Sequence, residues 1–86
     1  MTGSAAVPDA PIRIDDHDRV RTITFARADK LNAFDSALYH ATAEALVAAA
    51  EDEAIHVVVL TGEGRAFSAG QDLAEMAALA TGTAAE

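Results

Sequence analysis

Cysteine is absent from this 86-residue chain, so no disulfide framework holds it together. Basic residues are scarce: six Lys and Arg stand against fourteen Asp and Glu, a formal charge of -8. Nucleic acid needs a basic face to neutralise its phosphates, so non-specific DNA or RNA binding is excluded. A small acidic ligand held by a local site is not. Long apolar runs are also missing. The longest strand-like stretch, "IHVVVL", falls far short of the roughly 20 residues that span a bilayer. The opening "MTGSAAVPDAPIRIDD" has no basic segment followed by an apolar one, so no signal peptide is expected and a cytoplasmic protein is the default. The acidic residues show neither a ligand pattern with histidine nor calcium-loop spacing, so no metal site is expected.

Residues 1–11 are small and polar, with Pro8 and Pro11, and read as a flexible leader. Residues 12–86 read as one incomplete domain. Residues 12–16 and 20–25 alternate between apolar and polar, which predicts two strands of a hairpin around a charged turn at Asp16 to Arg19. "ARADKLNAF" is a loop. Asp35 or Asn32 then caps a helix over 36–51, with Leu38, Ala41, Ala45, Leu46 and Ala49 as its apolar stripe. Glu51, Asp52 and Glu53 are expected to form a solvated turn. Residues 55–60 are nearly all apolar, the pattern of a strand covered on both faces in a parallel sheet. A second helix follows. Asp72 and Glu75 have capping-box spacing, and Leu73, Met76, Ala77 and Ala80 form its apolar side. Three strands cannot surround a buried strand, and 51% hydrophobic residues is much for so small a chain. The chain is expected to be truncated or completed by another chain.

The segment "GEGRAFSAGQDLAEM", residues 62–76, joins the apolar strand to the second helix. As a nucleotide phosphate loop it is poor, because no Lys and Ser/Thr pair follows its glycines and Asp72 would repel phosphate. The dinucleotide fingerprint fails at its third glycine, where Phe67 stands. Ser68 is not in a nucleophile elbow, and no spacing ties His17, His40 or His56 to it. A further possibility is a backbone anion site: N–H groups at the start of a helix lack internal partners and carry partial positive charge. On the residues alone, that site and a merely structural turn both stay open.

The same segment closely resembles the Gly-x-Gly-x-x-Phe-x-Ala-Gly-x-Asp-Leu-x-Glu-Met stretch of the enoyl-CoA hydratase/isomerase, or crotonase, superfamily. "VRTITFARADKLNAFD" resembles that family's earlier segment of a strand, Asn-Arg-Pro and Asn-Ala-Leu/Phe. Here Ala26 and Ala28 replace the usual Asn and Pro. The resemblance covers residues 12–80. It implies an α/β crotonase-like (ClpP/crotonase) fold, of which this chain is the N-terminal ββαβα portion of a larger spiral domain.

For function, the resemblance implies an acyl-CoA thioester enzyme, most readily an enoyl-CoA hydratase, with an isomerase as the alternative. Coenzyme A would be part of the substrate rather than a cofactor. A thioester oxyanion would lie between two backbone N–H groups. Gln71 would give the first, and a glycine beyond residue 86 the second. Lys30 and Leu31 would line the coenzyme A strip, with Arg27 or Lys30 meeting a phosphate. Ala69, Gly70, Asp72 and Leu73 would shape the rest of the ligand site, with Asp72 as a helix cap. The catalytic carboxylates would also lie beyond Glu86, since Glu51, Glu63 and Glu75 do not match their positions. The family assembles as trimers, often paired into hexamers. A chain stripped of the second donor and the carboxylates would instead be a non-catalytic CoA-thioester-binding or assembly fragment.

Overall fold

A computed structural model describes residues 10–80. The leader expected at 1–11 therefore lies almost wholly outside the described residues, as does the segment 81–86. Three strands and two helices are present: β1 (Ile12–His17), β2 (Val20–Phe25), α1 (Ser36–Glu51), β3 (Val57–Gly62) and α2 (Leu73–Ala80), with a short 3-10 turn at Ala28–Lys30.

β1 and β2 form the expected hairpin in antiparallel register, from His17 opposite Val20 to Ile12 opposite Phe25. β1 runs one residue further than the alternation suggested. The turn is the pair Asp18 and Arg19, both left-handed at φ 53° and 68°. Two left-handed residues twist the chain to match the strands they join. The Arg19 carbonyl is fixed from outside, accepting from the N–H of His56 at 2.8 Å and of Val57 at 3.3 Å. The hairpin tip thereby anchors the start of β3.

β2 is the central strand, antiparallel to β1 and parallel to β3. Its Ile23 and Phe25 are buried. Joining two parallel strands requires a crossover, and α1 is that crossover, packing against β2 and β1. Asp35 caps it, its carboxylate accepting from the Leu38 N–H at 2.9 Å. The buried face is Leu38, Thr42, Ala45 and Ala49. Two members of the expected stripe are displaced: Ala41 is half-buried and Leu46 is exposed. Thr42 takes the place between them because steps of four, three and four residues from Leu38 follow the line of contact with the sheet.

The expectation for the apolar strand needs correcting. It begins at Val57, since the Ile55 N–H closes a turn onto the Asp52 carbonyl. It is also not covered on both faces. β3 is the sheet's outer strand, and Val57, Val59 and Leu60 are 51%, 42% and 38% exposed. The sequence carries the pattern of a strand covered on both faces with a strand on either side, and among residues 10–80 β2 is its one strand neighbour. The acidic turn after α1 is not purely solvated either. Arg21 makes a bidentate pair with Asp16, its register partner, and reaches Asp52 at 3.2 Å. This guanidinium holds the Asp16 carboxyl below its ordinary value.

Candidate functional site

Two loops leave the same end of the sheet, residues 26–35 after β2 and residues 63–72 after β3. Asn32 joins them. It is fully buried and left-handed at φ 56°, a conformation Asn tolerates better than most residues. Its side-chain oxygen accepts from the Arg27 N–H at 2.8 Å. Its amide donates to the carbonyls of Glu63 and Ala66 at 2.9 and 2.8 Å. Its own carbonyl accepts from the Ser68 hydroxyl at 2.8 Å, and Ser68 Oγ in turn accepts from the Gly70 N–H at 3.0 Å. Ser68 is thus occupied in shaping the loop. Asn32 is a loop tie, and Asp35 rather than Asn32 caps α1.

Backbone bonds complete the seam. The Ala69 N–H donates to Leu31, the Phe34 N–H to Gly70 at 2.6 Å, and the Asp72 N–H to Phe34 at 2.8 Å. Phe34 and Gln71 form an isolated parallel bridge. In that pattern Phe34 supplies both hydrogen bonds, to the residues flanking Gln71. The Gly70 carbonyl points at Phe34, and a trans peptide directs its N–H the opposite way. The Gln71 N–H therefore faces away from the seam, and among the described residues it donates to no backbone carbonyl. It lies one residue before Asp72, the cap of α2.

Glycine is required twice here. Gly70 has φ 94° with open space where a side chain would start, so its demand is conformational. Gly62 is packed: a Cβ there would lie 2.3 Å from the Phe67 carbonyl oxygen and 2.4 Å from that of Ala66.

Beside the Gln71 backbone opens a cleft of about 540 Å³. Its walls are Phe25, Phe34, Tyr39, Thr42, Leu60 and Phe67, and its rim is Ser68, Gly70 and Gln71. Phe25 contacts the rings of Phe34 and Phe67 at centroid separations of 5.0 and 5.2 Å. The site is thus an apolar hollow with backbone polarity at one edge, the usual make-up of a small-molecule pocket.

Asp72 caps α2 by accepting from the Glu75 N–H at 3.1 Å, and it meets Arg27 at 3.3 Å. The Glu75 N–H and then Arg27 hold its carboxyl below the ordinary value against the opposing effect of desolvation. The reciprocal half of a capping box does not form. Glu75 reaches across to Ser36, accepting from its N–H at 3.1 Å and its hydroxyl at 3.0 Å. The Asp72 N–H that it would have served is already bound to Phe34.

The remaining expected ligand residues divide into two groups. Arg27 is committed inward, to the Ala33 carbonyl, Asp35 and Asp72. It is 18% exposed, so it serves the seam more readily than a phosphate. Lys30 is exposed and forms no ion pair among the described residues. Leu31 is left-handed and partly exposed beside it. Ala69 lies on the loop surface, and Leu73 opens α2 with its side chain largely in solvent. Sequence reasoning did not assign Phe34, Tyr39 or Thr42 to this site. The motif "LNAF" ran up to Phe34, but nothing in spacing marks it as a bridge partner of Gln71.

Residues 15–86 match the family model described as enoyl-CoA hydratase/isomerase. The chain belongs to the enoyl-CoA hydratase/isomerase family. It is 44% identical over 68 residues to the 4-chlorobenzoyl coenzyme A dehalogenase-2 of an Arthrobacter species, covering 79% of this chain and 25% of that protein. It is 43% identical over 54 residues to the 1,2-epoxyphenylacetyl-CoA isomerase of Escherichia coli, covering 63% and 21%. Among solved structures it resembles an enoyl-CoA hydratase from Mycobacterium marinum, at 59% identity and a TM-score of 0.79, over 83% of this chain and 34% of that one. The fold is the ββαβα part of the family's α/β architecture. The chain spans about a quarter of the curated relatives' length, so those proteins' chemistry is not transferred whole. Among the described residues no cluster of metal-ligating side chains occurs, and no helix is long and apolar enough to cross a membrane.

Proposed function

We propose that this chain is the N-terminal portion of an acyl-CoA thioester enzyme of hydratase type, in which the Gln71 N–H is the first of two oxyanion donors. One observation carries the proposal. The Phe34–Gly70 hydrogen bond turns the Gln71 N–H outward at the edge of an apolar cleft. A donor fixed before the reaction loses nothing to reorganisation when negative charge grows on the thioester oxygen. Two partial charges favour an anion there, the N–H itself and the N-terminus of α2, while the full charge of Lys30 would serve the phosphates of coenzyme A. The second donor and the catalytic carboxylates come from outside these residues, by chain continuation or from a complementary chain. The assembly is a cytoplasmic trimer or hexamer.

Hydration is preferred over isomerisation because of the similarity to the Mycobacterium marinum hydratase. One observation favours the non-catalytic alternative: the cleft walls contain no carboxylate among the described residues. A chimera separates the two. Residues 12–80 replace the matching segment of that hydratase, and loss of the conjugated thioester of a 2-enoyl-CoA is followed. Turnover abolished by Gln71→Pro and retained by Gln71→Ala supports the enzyme reading. A folded chimera that binds the thioester without turnover supports the binding-fragment reading.

A further inference from the structure

α2 has little apolar packing to hold it. It is eight residues long, Leu73 and Met76 are 77% and 50% exposed, and none of residues 73–78 is buried. So short a helix does not persist in water on its own propensity and needs tertiary support. Here the support is polar. At its cap, the Asp72 N–H donates to Phe34 and the Asp72 carboxylate meets Arg27. Three residues on, Glu75 accepts from both the N–H and the hydroxyl of Ser36, one carboxylate oxygen to each. Ser36 is the first residue of α1, whose first turn contains no acidic residue. Asp35 serves the Leu38 N–H of that turn, and Glu75 serves the Ser36 N–H from another helix. The α1 N-terminus, with its partial positive charge, favours a carboxylate there.

We propose that Glu75 is a positioning residue: by clasping Ser36 it sets the direction of α2 and so keeps the Gln71 N–H, with the helix dipole behind it, aimed at the cleft. This rests on the reading of that N–H as an oxyanion donor. The links at Asp72 fix one end of α2 and leave its axis able to swing. The Glu75 clasp is a second point of attachment, and two points define a direction. Alignment matters because the influence of a helix end fades within its first turn. With both oxygens engaged by Ser36, Glu75 acts through α2 rather than on a bound ligand.

Amide hydrogen exchange of the intact chain, read by NMR, tests the clasp. The Asp72 and Met76 N–H groups bond to the Phe34 and Asp72 carbonyls and report on the start of α2. Glu75→Ala should speed their exchange about fivefold, as suits an exposed charge-assisted link, and leave the Ile23 amide of β2 unchanged. Glu75→Gln keeps an acceptor for the Ser36 N–H and a polar partner for its hydroxyl, so it should restore slow exchange. Ser36→Ala should speed exchange alone but add little to Glu75→Ala. No acceleration at Asp72 and Met76, equal acceleration at Ile23, or no recovery with glutamine overturns the proposal. In the hydratase chimera, Glu75→Ala should lower kcat about fivefold at unchanged KM, since the aligned donor matters most as charge develops. If Gln71→Pro abolishes turnover there and Glu75→Ala leaves kcat intact, the positioning role fails and the donor reading stands. If Gln71→Pro leaves turnover intact, the donor reading fails and the clasp, read by exchange, stands.

Discussion

Removing the Asn32 side chain should loosen both loops at once. Asn32→Ala strands three backbone groups, the Arg27 N–H and the carbonyls of Glu63 and Ala66. Each group left unpaired in a dry interior costs about 1–3 kcal/mol. Residues 27, 63 and 66 are all only half-buried, so water reaches part of the vacated space and the lower end applies, about 3 kcal/mol in total. The left-handed φ of 56° adds about 1 kcal/mol for alanine. The sum, about 4 kcal/mol, is a large share of the 5–15 kcal/mol typical of small domains. Two further variants divide it. Asn32→Gly removes the amide but not the backbone freedom, so it should be about 1 kcal/mol milder than alanine. Asn32→Asp keeps an acceptor for Arg27 but turns a second oxygen toward two carbonyls, so it should be the most damaging. Urea unfolding followed by circular dichroism measures the totals, and hydrogen exchange at residues 63–72 shows where they fall. An alanine variant within 1 kcal/mol of the parent, or an aspartate variant as stable as it, would refute the account of Asn32 as the tie.

Gln71→Ala should leave turnover of the completed enzyme nearly intact, whereas Gln71→Pro deletes the donor and should cost about 3 kcal/mol in activation free energy; equal large losses in steady-state kinetics would move the role to the side chain. Gly62→Ala should destabilise the fold markedly, because the new methyl meets two backbone oxygens, and a melting temperature matching the parent would contradict that packing. Gly70→Ala should be milder, with a smaller fall in melting temperature than Gly62→Ala, as only its φ of 94° opposes a side chain. The Asp72 carboxyl is held low by the Glu75 N–H and Arg27, so its stabilisation is present above the unfolded value of about 4 and is lost as pH falls through the lower folded value. Acid unfolding of Asp72→Asn should accordingly show a flatter low-pH limb than that of the parent.

Much of this architecture is legible in short-range pattern. The alternation of residues 12–16 and 20–25 marks the hairpin because one sheet face is buried and register follows from it. Asp35 announces α1 through its carboxylate, and the helix occupies 36–51 as its composition suggests. What pattern does not carry is the pairing of residues distant in sequence. Spacing matches Glu75 to Asp72, yet its carboxylate binds Ser36, because Phe34 holds the N–H in question. Arg27 offered a free cation in sequence and is spent on Asp35 and Asp72 in space. Thr42 is lost among alanines in the sequence, since its burial depends on how α1 lies on the sheet. The direction of the Gln71 N–H depends on Phe34, 37 residues earlier, and only the resemblance singled out Gln71 beforehand.

The outward edge of β3 governs how this chain behaves in a tube. Val57 to Leu60 is a run of β-branched and aliphatic residues without charge or proline, and its outer edge has no strand beside it among the described residues. Such an edge recruits the same segment of another molecule and can seed fibrils. The acidic surplus that makes the chain a poor partner for nucleic acid also protects it here, through mutual repulsion. That protection vanishes near the isoelectric point of about 4.6. The chain should therefore stay dispersed at neutral pH and low salt, and should gel or form thioflavin-positive aggregates when acidified toward that point, with Val59→Lys abolishing the effect.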